Sequence, residues 1–479
     1  MRFINISKIA VVLFLAFFSS NSFAQLYFEI AGDEDSKTNI QFSGFQSQDP
    51  TLDRDLKIIS DKIIANLNTT NLFKIINSDS EVKFLTPSSY LDQNSSFSVE
   101  EYSAPISSQG TSGYLAPSVN PIFSIESVPD FERYSSQNIS AILIAQANYD
   151  LEGNIELRLR VWDVVDRKQL FGKFYSSSFD NYQKLSNTIS NEIFKSLTGE
   201  LAGHFNSKIL YISESGKLRK RVKRLAIMDF DGNNKSFLTN GRNLVLTPIF
   251  SKNPYEVFYL SYKDDFPQIF KLDLMSQTSI PVGGFRGTTY AAAAHPKDSN
   301  KVLLSAIFDG NSDIYEMDIA QNTATRLTKN PAIDTTASYS PDGEDIVFVS
   351  DRTGERKIYI MDRNGSSIRL LSKGAGNYSK PVFSPSGNMI AFTVLRNSKF
   401  YIAIMTRDGE DERLLTSAYL AEGAKFSPNG RYLVYSKTRS AYGPLSVPKL
   451  FIIDTISGYE YQLPSEPGEG ASDPDWGEI

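Results

Sequence analysis

The sequence predicts a small α/β domain followed by an all-β six-bladed propeller built from WD40-like repeats. A strand–turn–strand phrase, "SPDGEDIVFVS" in its clearest copy, recurs at steps of about 44 residues, the period of four-stranded propeller blades. In that copy residues 346–349 are apolar without alternation, so their strand should be buried on both faces. Neighbouring blades on both sides would bury both faces, which favours a closed ring.

Three recurring phrases define each predicted blade. The first carries the turn that precedes the buried strand, and its anchor positions are Ser251, His295, Ser340, Ser384 and Ser427. The second ends a strand at a turn, at Asp229, Asp273, Asp318, Asp362, Thr406 and Asp454. The third closes most units with an outer strand, at Thr239, Thr328, Ser372 and Thr416. The six copies of the second phrase predict six blades.

The first blade lacks an inner strand of its own, because no copy of the first phrase precedes residues 208–216. A copy appears instead at the end of the chain, "SDPDWG", residues 472–477. It has Trp476 at the position where other units have an aromatic residue. We therefore predict that the C-terminal strand completes the first blade and closes the ring, so that the propeller covers residues 204–479.

Residues 1–24 have the pattern of a secretory signal peptide: a basic start, a short apolar core, and small residues at Ser22 and Ala24. Cleavage after Ala24 is expected, which predicts an exported, soluble chain. Cleavage removes Arg2 and Lys8 but no acidic residue, so the formal net charge goes from −6 to −8, which argues against nucleic acid as a partner. The chain has no cysteine, which excludes thiolate metal sites and a bacterial lipoprotein anchor.

The predicted α/β domain covers residues 25–203. Its first amphipathic helix begins at Asp49 and Pro50. The apolar face of that helix consists of Leu52, Leu56, Ile59 and Ile63. Residues 157–164 alternate as a half-buried strand, and a second amphipathic helix stops at Gly199. Residues 86–121 are Ser-rich and turn-rich without a clear period, which predicts an insertion.

Few residues are candidates for chemistry. The two histidines, His204 and His295, could each serve as the base of a Ser-His-Asp triad, but no G-x-S-x-G motif accompanies them. His204 falls at the predicted domain junction, and His295 takes the serine position of a repeat, which favours a repeat variant beside a turn. The recurring Asp residues could suggest metal ligation, yet their repetition favours turn capping. We predict no cofactor, no metal site and no enzymatic activity.

The basic run "KLRKRVKR", residues 217–224, lies between two predicted strands of the first blade. It could bind a polyanion, or it could be a solvated loop. The solvated loop is the favoured interpretation, because the run connects two strands of one blade.

The mouth of the central channel is the surface that the predicted ring offers to a ligand. Residues just ahead of each inner strand should gather there, because the inner strands surround the channel. They combine one aromatic side chain, small hydroxyls and both signs of charge, which suits a docking protein or small ligand. The residues of this predicted rim are Thr247, Tyr290, Thr335, Thr336, Ser379, Lys380, Glu422 and Asp473.

The order of parts resembles the TolB family, periplasmic proteins of the Tol–Pal envelope system of Gram-negative bacteria. The resemblance rests on the signal peptide, the α/β domain with its strand "LRLRVWDV", and six units like "SPDGEDIVFVSDRTGERKIYIMDRNG". It spans nearly all of the mature chain and is strongest over residues 337–416. It implies a periplasmic scaffold that supports outer-membrane integrity and envelope constriction during cell division.

The resemblance also implies two partners. TolB-like proteins bind the lipoprotein Pal at the channel mouth, where a Thr-acidic pair of the family corresponds here to Thr335 and Thr336, without the acidic member. Their first mature residues either fold back on the protein or bind the C-terminal domain of TolA. The matching N-terminal strip is residues 25–36, and its implied contact residues are Leu26, Tyr27, Phe28, Glu29 and Ile30. A monomer that meets the membrane only through its partners is expected.

Two other classes of protein stay open at this point. The chain could be the propeller of a secreted serine peptidase separated from its hydrolase domain. It could also be a propeller enzyme that acts on a small molecule in the channel. Neither accounts for the N-terminal α/β domain.

Overall fold

The computed structural model of the chain describes residues 37–76, 128–216, 220–263, 266–282, 288–308, 310–443 and 446–478. The predicted signal peptide, the N-terminal strip and the insertion at residues 86–121 lie outside these ranges, so they stay predictions. Inside the ranges, none of the helices combines the length and the apolar character that crossing a membrane requires.

The N-terminal domain is a five-stranded sheet with helices on both faces. Its strands are β1 (Thr38–Phe42), β2 (Phe73–Ile76), β3 (Ala141–Tyr149), β4 (Ile155–Asp163) and β5 (Lys168–Ser177), and its helices are α1 (Asp53–Thr69), α2 (Phe131–Ser136) and α3 (Tyr182–Thr198). The strand order is β2-β1-β3-β4-β5, with β1 parallel to β2 and β3 and the other pairs antiparallel. Helices α1 and α3 cover one face, and α2 packs on the other.

Both predicted amphipathic helices are present. Asp49 caps the 3-10 turn Pro50–Leu52 that leads into α1, where its carboxylate accepts from the Thr51 amide at 2.9 Å. The predicted apolar faces of α1 and α3 are buried. Helix α3 ends where Gly199 adopts a φ of 73°, a left-handed conformation that glycine takes without strain.

The propeller has six four-stranded sheets, as the repeats predicted. Its strands are β6 (Ser207–Ser215), β7 (Val222–Asp229), β8 (Ser236–Phe237), β9 (Val245–Phe250), β10 (Glu256–Ser261), β11 (Gln268–Asp273), β12 (Ser279–Pro281), β13 (Thr288–Ala294), β14 (Lys301–Phe308), β15 (Asn311–Asp318), β16 (Thr323–Arg326), β17 (Asp334–Tyr339), β18 (Asp345–Ser350), β19 (Lys357–Asp362), β20 (Arg369–Leu370), β21 (Asn377–Phe383), β22 (Met389–Arg396), β23 (Lys399–Thr406), β24 (Arg413–Ala418), β25 (Leu420–Phe426), β26 (Tyr432–Thr438), β27 (Lys449–Asp454), β28 (Glu460–Gln462) and β29 (Gly470–Glu478). Blade 1 has the strand order β29-β6-β7-β8. Blade 2 consists of β9 to β12, blade 3 of β13 to β16, blade 4 of β17 to β20, blade 5 of β21 to β24 and blade 6 of β25 to β28.

Strand β18 is buried on both faces, as its lack of alternation predicted. Ile346 and Phe348 pack against Leu303 of blade 3, and Val347 and Val349 pack in the cluster of blade 5. Each central strand is therefore covered by the blade before it and the blade after it.

The C-terminal strand closes the ring, as "SDPDWG" predicted. Strand β29 pairs antiparallel with β6, with Trp476 opposite Ile209. The Trp476 side chain is buried, and its Nε1 donates to Ser207 Oγ at 2.6 Å. Blade 1 is thus built from two segments of the chain that are far apart in sequence.

The N-terminal domain packs against the turn end of blades 6 and 1. A continuous hydrophobic core runs from α1 and α3 into both blades. Lys62 on α1 pairs with Asp231 in the β7–β8 turn at 2.7 Å, and Arg431, after the β25–β26 turn, lies 3.5 Å from Glu200. These turns lie at the opposite end of the blades from the start of the innermost strands, so these contacts leave the channel mouth uncovered.

Candidate functional site

The channel mouth is built from the six innermost strands β29, β9, β13, β17, β21 and β25, each of which contacts the innermost strands of its two neighbours. The pairing of every one of these strands with the second strand of its blade shifts register once. In β9, β17, β21, β25 and β29 the backbone turns left-handed at the shift, with positive φ at Thr247, Thr336, Lys380, Gly423 and Asp473. A β-bulge accounts for both features, because it inserts one extra residue and bends the strand.

The bulges correct one detail of the sequence prediction. The rim residues lie within the innermost strands, not ahead of them, because these strands begin several residues earlier than the repeat phrase indicates. The sequence did contain a signal for the bulges. Pro248, Pro381 and Pro474 each follow a left-handed residue, and proline inside a sheet is confined to edges, strand starts and bulges.

Three predicted rim residues from three consecutive blades meet in one cluster. Lys380 Nζ lies 2.9 Å from Glu422 Oε2 and 3.3 Å from Asp473 Oδ1. Burial acts to lower the pKa of Lys380, but the carboxylates of Asp473 and Glu422 outweigh it and hold that pKa above its usual value. The cluster carries a net negative charge, and its side chains are 17–36% exposed, so it remains accessible to a partner.

The rim also contains buried hydroxyls. The Oγ1 atoms of Thr247, Thr335 and Thr336 are buried and make no hydrogen bond with the described part of the chain. The Thr336 amide donates to Ser305 Oγ of blade 3 at 3.0 Å. Tyr290 lies on β13, where only its backbone is described, and Ser379 lies on β21 beside the Lys380 bulge. The rim therefore combines left-handed backbone with threonine hydroxyls that are buried rather than presented to a partner.

A second link between blades escaped the sequence prediction. Asp475 on β29 accepts from the Phe250 amide of blade 2 at 2.7 Å and pairs with Lys425 of blade 6 at 3.3 Å. Asp475 lies in "SDPDWG", so its position was predicted. Its partners were not, because they belong to blades that meet only on ring closure.

Both histidines make contacts that stabilise the fold, one in a turn and one in the core. His295 Nδ1 accepts from the amides of Lys297 and Asp298, each at 3.1 Å. It thus accepts from turn amides as a serine hydroxyl does, although Ser340, Ser384 and Ser427 accept from the amide five residues on. This confirms that His295 is a repeat variant beside a turn. His204 is buried among aromatic rings, with Phe205 at 4.3 Å and Tyr432 at 4.8 Å between ring centroids. Burial lowers the pKa of His204 to about 3, with the charge of Arg431 acting in the same direction.

The recurring Asp residues cap turns, as predicted. Asp273 accepts from the amides of Met275 and Ser276, and Asp362 accepts from those of Asn364 and Ser366. Over the described ranges, His and acidic side chains form no group of three or more that could hold a metal ion.

Fold and site together define a six-bladed propeller with a small α/β domain at one end and a charged channel mouth at the other. Residues 194–479 match the TolB beta propeller domain family. The chain belongs to this family.

One of the matching solved structures agrees with the fold. TolB from Acinetobacter baumannii is 22% identical, with a TM-score of 0.75, over 95% of this chain and all of that one. A putative TolB from Agrobacterium tumefaciens is 20% identical over 58% of this chain and all of that one, with a TM-score of 0.44. An oligogalacturonate lyase from Vibrio parahaemolyticus is 14% identical over 50% of this chain and 71% of that one, with a TM-score of 0.39. Because the last two scores are below 0.5, only the first similarity bears on the fold.

Proposed function

We propose that the protein is a periplasmic component of the Tol–Pal system and a protein-binding scaffold rather than an enzyme. The observation that carries this proposal is the match of residues 194–479 to the TolB propeller family. In this role it binds Pal and TolA and supports outer-membrane integrity and envelope constriction during division. It works as a monomer and meets membranes only through these partners, without nucleic acid or cofactors.

The rim is the proposed Pal site. Its residues come from all six blades and lie on the end of the propeller away from the N-terminal domain. Bulged, left-handed backbone at Thr336 and Lys380 is the kind of strain that persists where a binding surface needs it. The Lys380, Glu422 and Asp473 cluster supplies charge, and Tyr290 is the proposed aromatic anchor.

Calorimetry with the soluble domain of Pal from the native host tests the rim. Tyr290→Ala and Thr336→Arg should each weaken Pal binding by about 2 kcal/mol, the first by removing an anchor and the second by burying an unpaired charge. The melting temperature should change little. The matched control is Asn388→Arg, an exposed position in the β21–β22 turn at the opposite end of the propeller. If the rim variants bind Pal like the parent while the control does not, the wrong face has been assigned.

The N-terminal strip is the proposed TolA site. It alternates Leu26, Phe28 and Ile30 with Tyr27 and Glu29, a pattern suited to adding a strand to the edge of a partner's sheet. Deleting residues 25–36 should abolish binding of the TolA C-terminal domain and leave Pal binding intact or tighter. Unchanged TolA binding in calorimetry would remove the strip from the proposal.

Export can be tested independently of both partners. Mass spectrometry of the protein purified from its native host should find Gln25 as the first residue. An intact Met1 or recovery from the cytoplasmic fraction would contradict the periplasmic location.

A further inference from the structure

The basic run "KLRKRVKR" is not a free polyanion site where the structure describes it. The buried carboxylate of Glu214 on β6 pairs with Arg221 at 2.7 Å and with Lys223 at 2.9 Å. One buried acid therefore neutralises part of the run and fixes its backbone. Cations without such a partner lie on the N-terminal sheet instead.

The N-terminal sheet has a second face, opposite α1 and α3, that the described helices cover only in part. Helix α2 packs there against Ile142 and Trp162. Further along β4 the same face continues through Arg160 and Arg158, because alternate residues of a strand point to one side. We call this uncovered part the open face. Its residues, paired across β3, β4 and β5, are Gln146, Asn148, Glu156, Arg158, Arg160, Gly172, Phe174 and Ser176.

The open face carries positive charge beside an aromatic ring. Arg158 is exposed and Arg160 is half-buried, and within the described ranges neither forms an ion pair. Phe174, directly opposite Arg158 on β5, is 54% exposed. Arg160 lies across Gly172, where an added Cβ would approach Arg160 Cγ to 3.4 Å. Because Glu156 is the only acidic residue of the open face, two positive charges stand against one negative charge.

The covered end of this face lacks a hydrogen-bond acceptor. Trp162 Nε1 is buried and makes no hydrogen bond with the described part of the chain. A buried N–H group without an acceptor is costly and rare in folded proteins. We therefore expect its acceptor to come from residues outside the described ranges.

Residues 77–127 begin and end on this same face. Ile76 and Val128, the described residues that flank the segment, both pack against the cluster that contains Trp162. The segment has six acidic residues and one lysine, so its formal charge is −5. Its stretch "FSVEEY", residues 97–102, places two adjacent glutamates between two aromatic residues. Its charge and its aromatic residues are thus complementary to the open face.

We propose that the open face binds residues 77–127 of the same chain through the acidic pair in "FSVEEY". The two glutamates neutralise the two arginines, and one aromatic ring of the stretch packs beside Phe174. A partner at the end of Trp162 Nε1 comes from the same segment. The proposal does not depend on the Tol–Pal assignment.

The segment is long enough to reach the open face. Residue 97 follows Ile76 by about twenty residues, which span about 25 Å as a flexible chain. Arg158 lies only about 13 Å along β4 from Trp162. Because the segment is tethered at both ends, its effective concentration is about millimolar, so ion pairs that are individually weak can hold it.

Contact quenching in the full mature chain tests the proposal. The chain has no cysteine, so Ser98→Cys gives a single thiol for a bimane label within the stretch. Phe174→Trp adds a tryptophan, which quenches bimane at contact, to the open face. It should lower the fluorescence of the label about twofold or more, because tethering keeps the segment bound. The matched control is Phe237→Trp, since Phe237 is 55% exposed but lies in blade 1, and it should leave the fluorescence unchanged.

Charge reversal tests the proposed ion pairs in the same labelled chain. Arg158→Glu with Arg160→Glu should relieve the quenching, and adding Glu100→Lys with Glu101→Lys should restore it. High salt should weaken the quenching in the chain with the native arginines. Circular dichroism checks that each variant is folded. Equal fluorescence in Phe174→Trp and Phe237→Trp, or quenching that survives reversal of both arginines, would overturn the proposal.

The same method identifies other occupants of the open face. If Phe174→Trp quenches a label at Ser36→Cys but not one at Ser98→Cys, the open face binds the N-terminal strip and the proposal is wrong. If the Ser98→Cys label is quenched only when excess unlabelled Phe174→Trp chain is added, the occupant is a second copy, which also contradicts the proposal.

Discussion

The domain junction and the channel-mouth rim lie at opposite ends of the same strands and differ in how deeply they bury charged groups. At the junction, Arg431 and Asp454 form an ion pair at 2.9 Å with side chains 7% and 0% exposed, and His204 is enclosed by aromatic rings. At the rim, the charged Lys380 cluster stays partly exposed. Buried hydroxyls without a described partner occur at both ends, at Tyr432 in the junction and at Thr247, Thr335 and Thr336 in the rim.

The difference indicates that the two ends have different roles, one in stability and the other in recognition. The junction pairs its buried charges and joins two domains through one core, so it should dominate stability. The rim keeps strained backbone and available charge, which reduce stability but suit recognition. Substitutions at the junction should therefore lower the free energy of unfolding strongly, whereas substitutions at the rim should change it little or raise it.

Trp476→Ala should give the largest loss, about 3–5 kcal/mol of unfolding free energy, because it removes a buried aromatic ring where the ring of blades closes. Urea unfolding followed by circular dichroism measures it. Trp476→Phe is the matched variant: it retains most of the apolar contact, loses the bond to Ser207, and should cost only about 1 kcal/mol. A Trp476→Ala protein as stable as the parent would contradict closure by β29.

Asp454→Asn should cost about 3 kcal/mol, because it leaves the buried Arg431 without its closest counter-charge. Because Glu200 also lies 3.5 Å from Arg431, the loss of unfolding free energy should be near the lower limit for breaking a buried ion pair. Asp362→Asn makes the same change at the equivalent turn of blade 4, where Asp362 caps amides without a described ion pair. It should cost under about 1 kcal/mol. Equal losses in the two variants would refute the contrast.

The free energy of unfolding should decrease as the pH drops below about 6.5, partly because of His204. Its folded-state pKa is about 3, so as pH drops the unfolded chain binds a proton that the folded chain does not. The stabilisation is present above pH 6.5 and is lost as pH falls towards 3, which amounts to about 2 kcal/mol between pH 7 and 5.

His204→Gln should remove this part of the pH dependence. His295→Gln should change it less, because His295 is only half-buried, although burial lowers its pKa too. Identical pH profiles for parent and His204→Gln would contradict the prediction.

Thr336→Gly should have the smallest effect and the opposite sign, raising the unfolding free energy by about 0.5–1 kcal/mol. Thr336 has a φ of 48° and a buried hydroxyl without a described partner, and glycine removes both penalties. Thr335→Gly, one residue earlier and without a positive φ, is the matched control and should lower the unfolding free energy by about 0.5–1 kcal/mol. Thermal unfolding of both variants checks the pair. A loss at both positions would mean that the bulge stores no strain.

The sequence by itself determined the repeat, the number of blades, and the burial of strands such as β18 on both faces. It also determined that the C-terminal strand, which contains Trp476, completes blade 1. These features depend on local patterns: turn residues, apolar runs and caps that recur at a fixed spacing. His295 and the capping Asp residues were interpretable for the same reason, since a turn is formed by neighbours in sequence.

Only the tertiary structure decided which residues meet across blades. The pairing of Lys380 with Glu422 and Asp473 and the bonds of Asp475 to Phe250 and Lys425 depend on how separate segments approach when the ring closes. The bulges decided which rim backbones turn left-handed, although proline marked three of them. Contacts between segments far apart in the chain follow from packing angles and register, which local sequence patterns do not encode, so the site had to be observed in three dimensions.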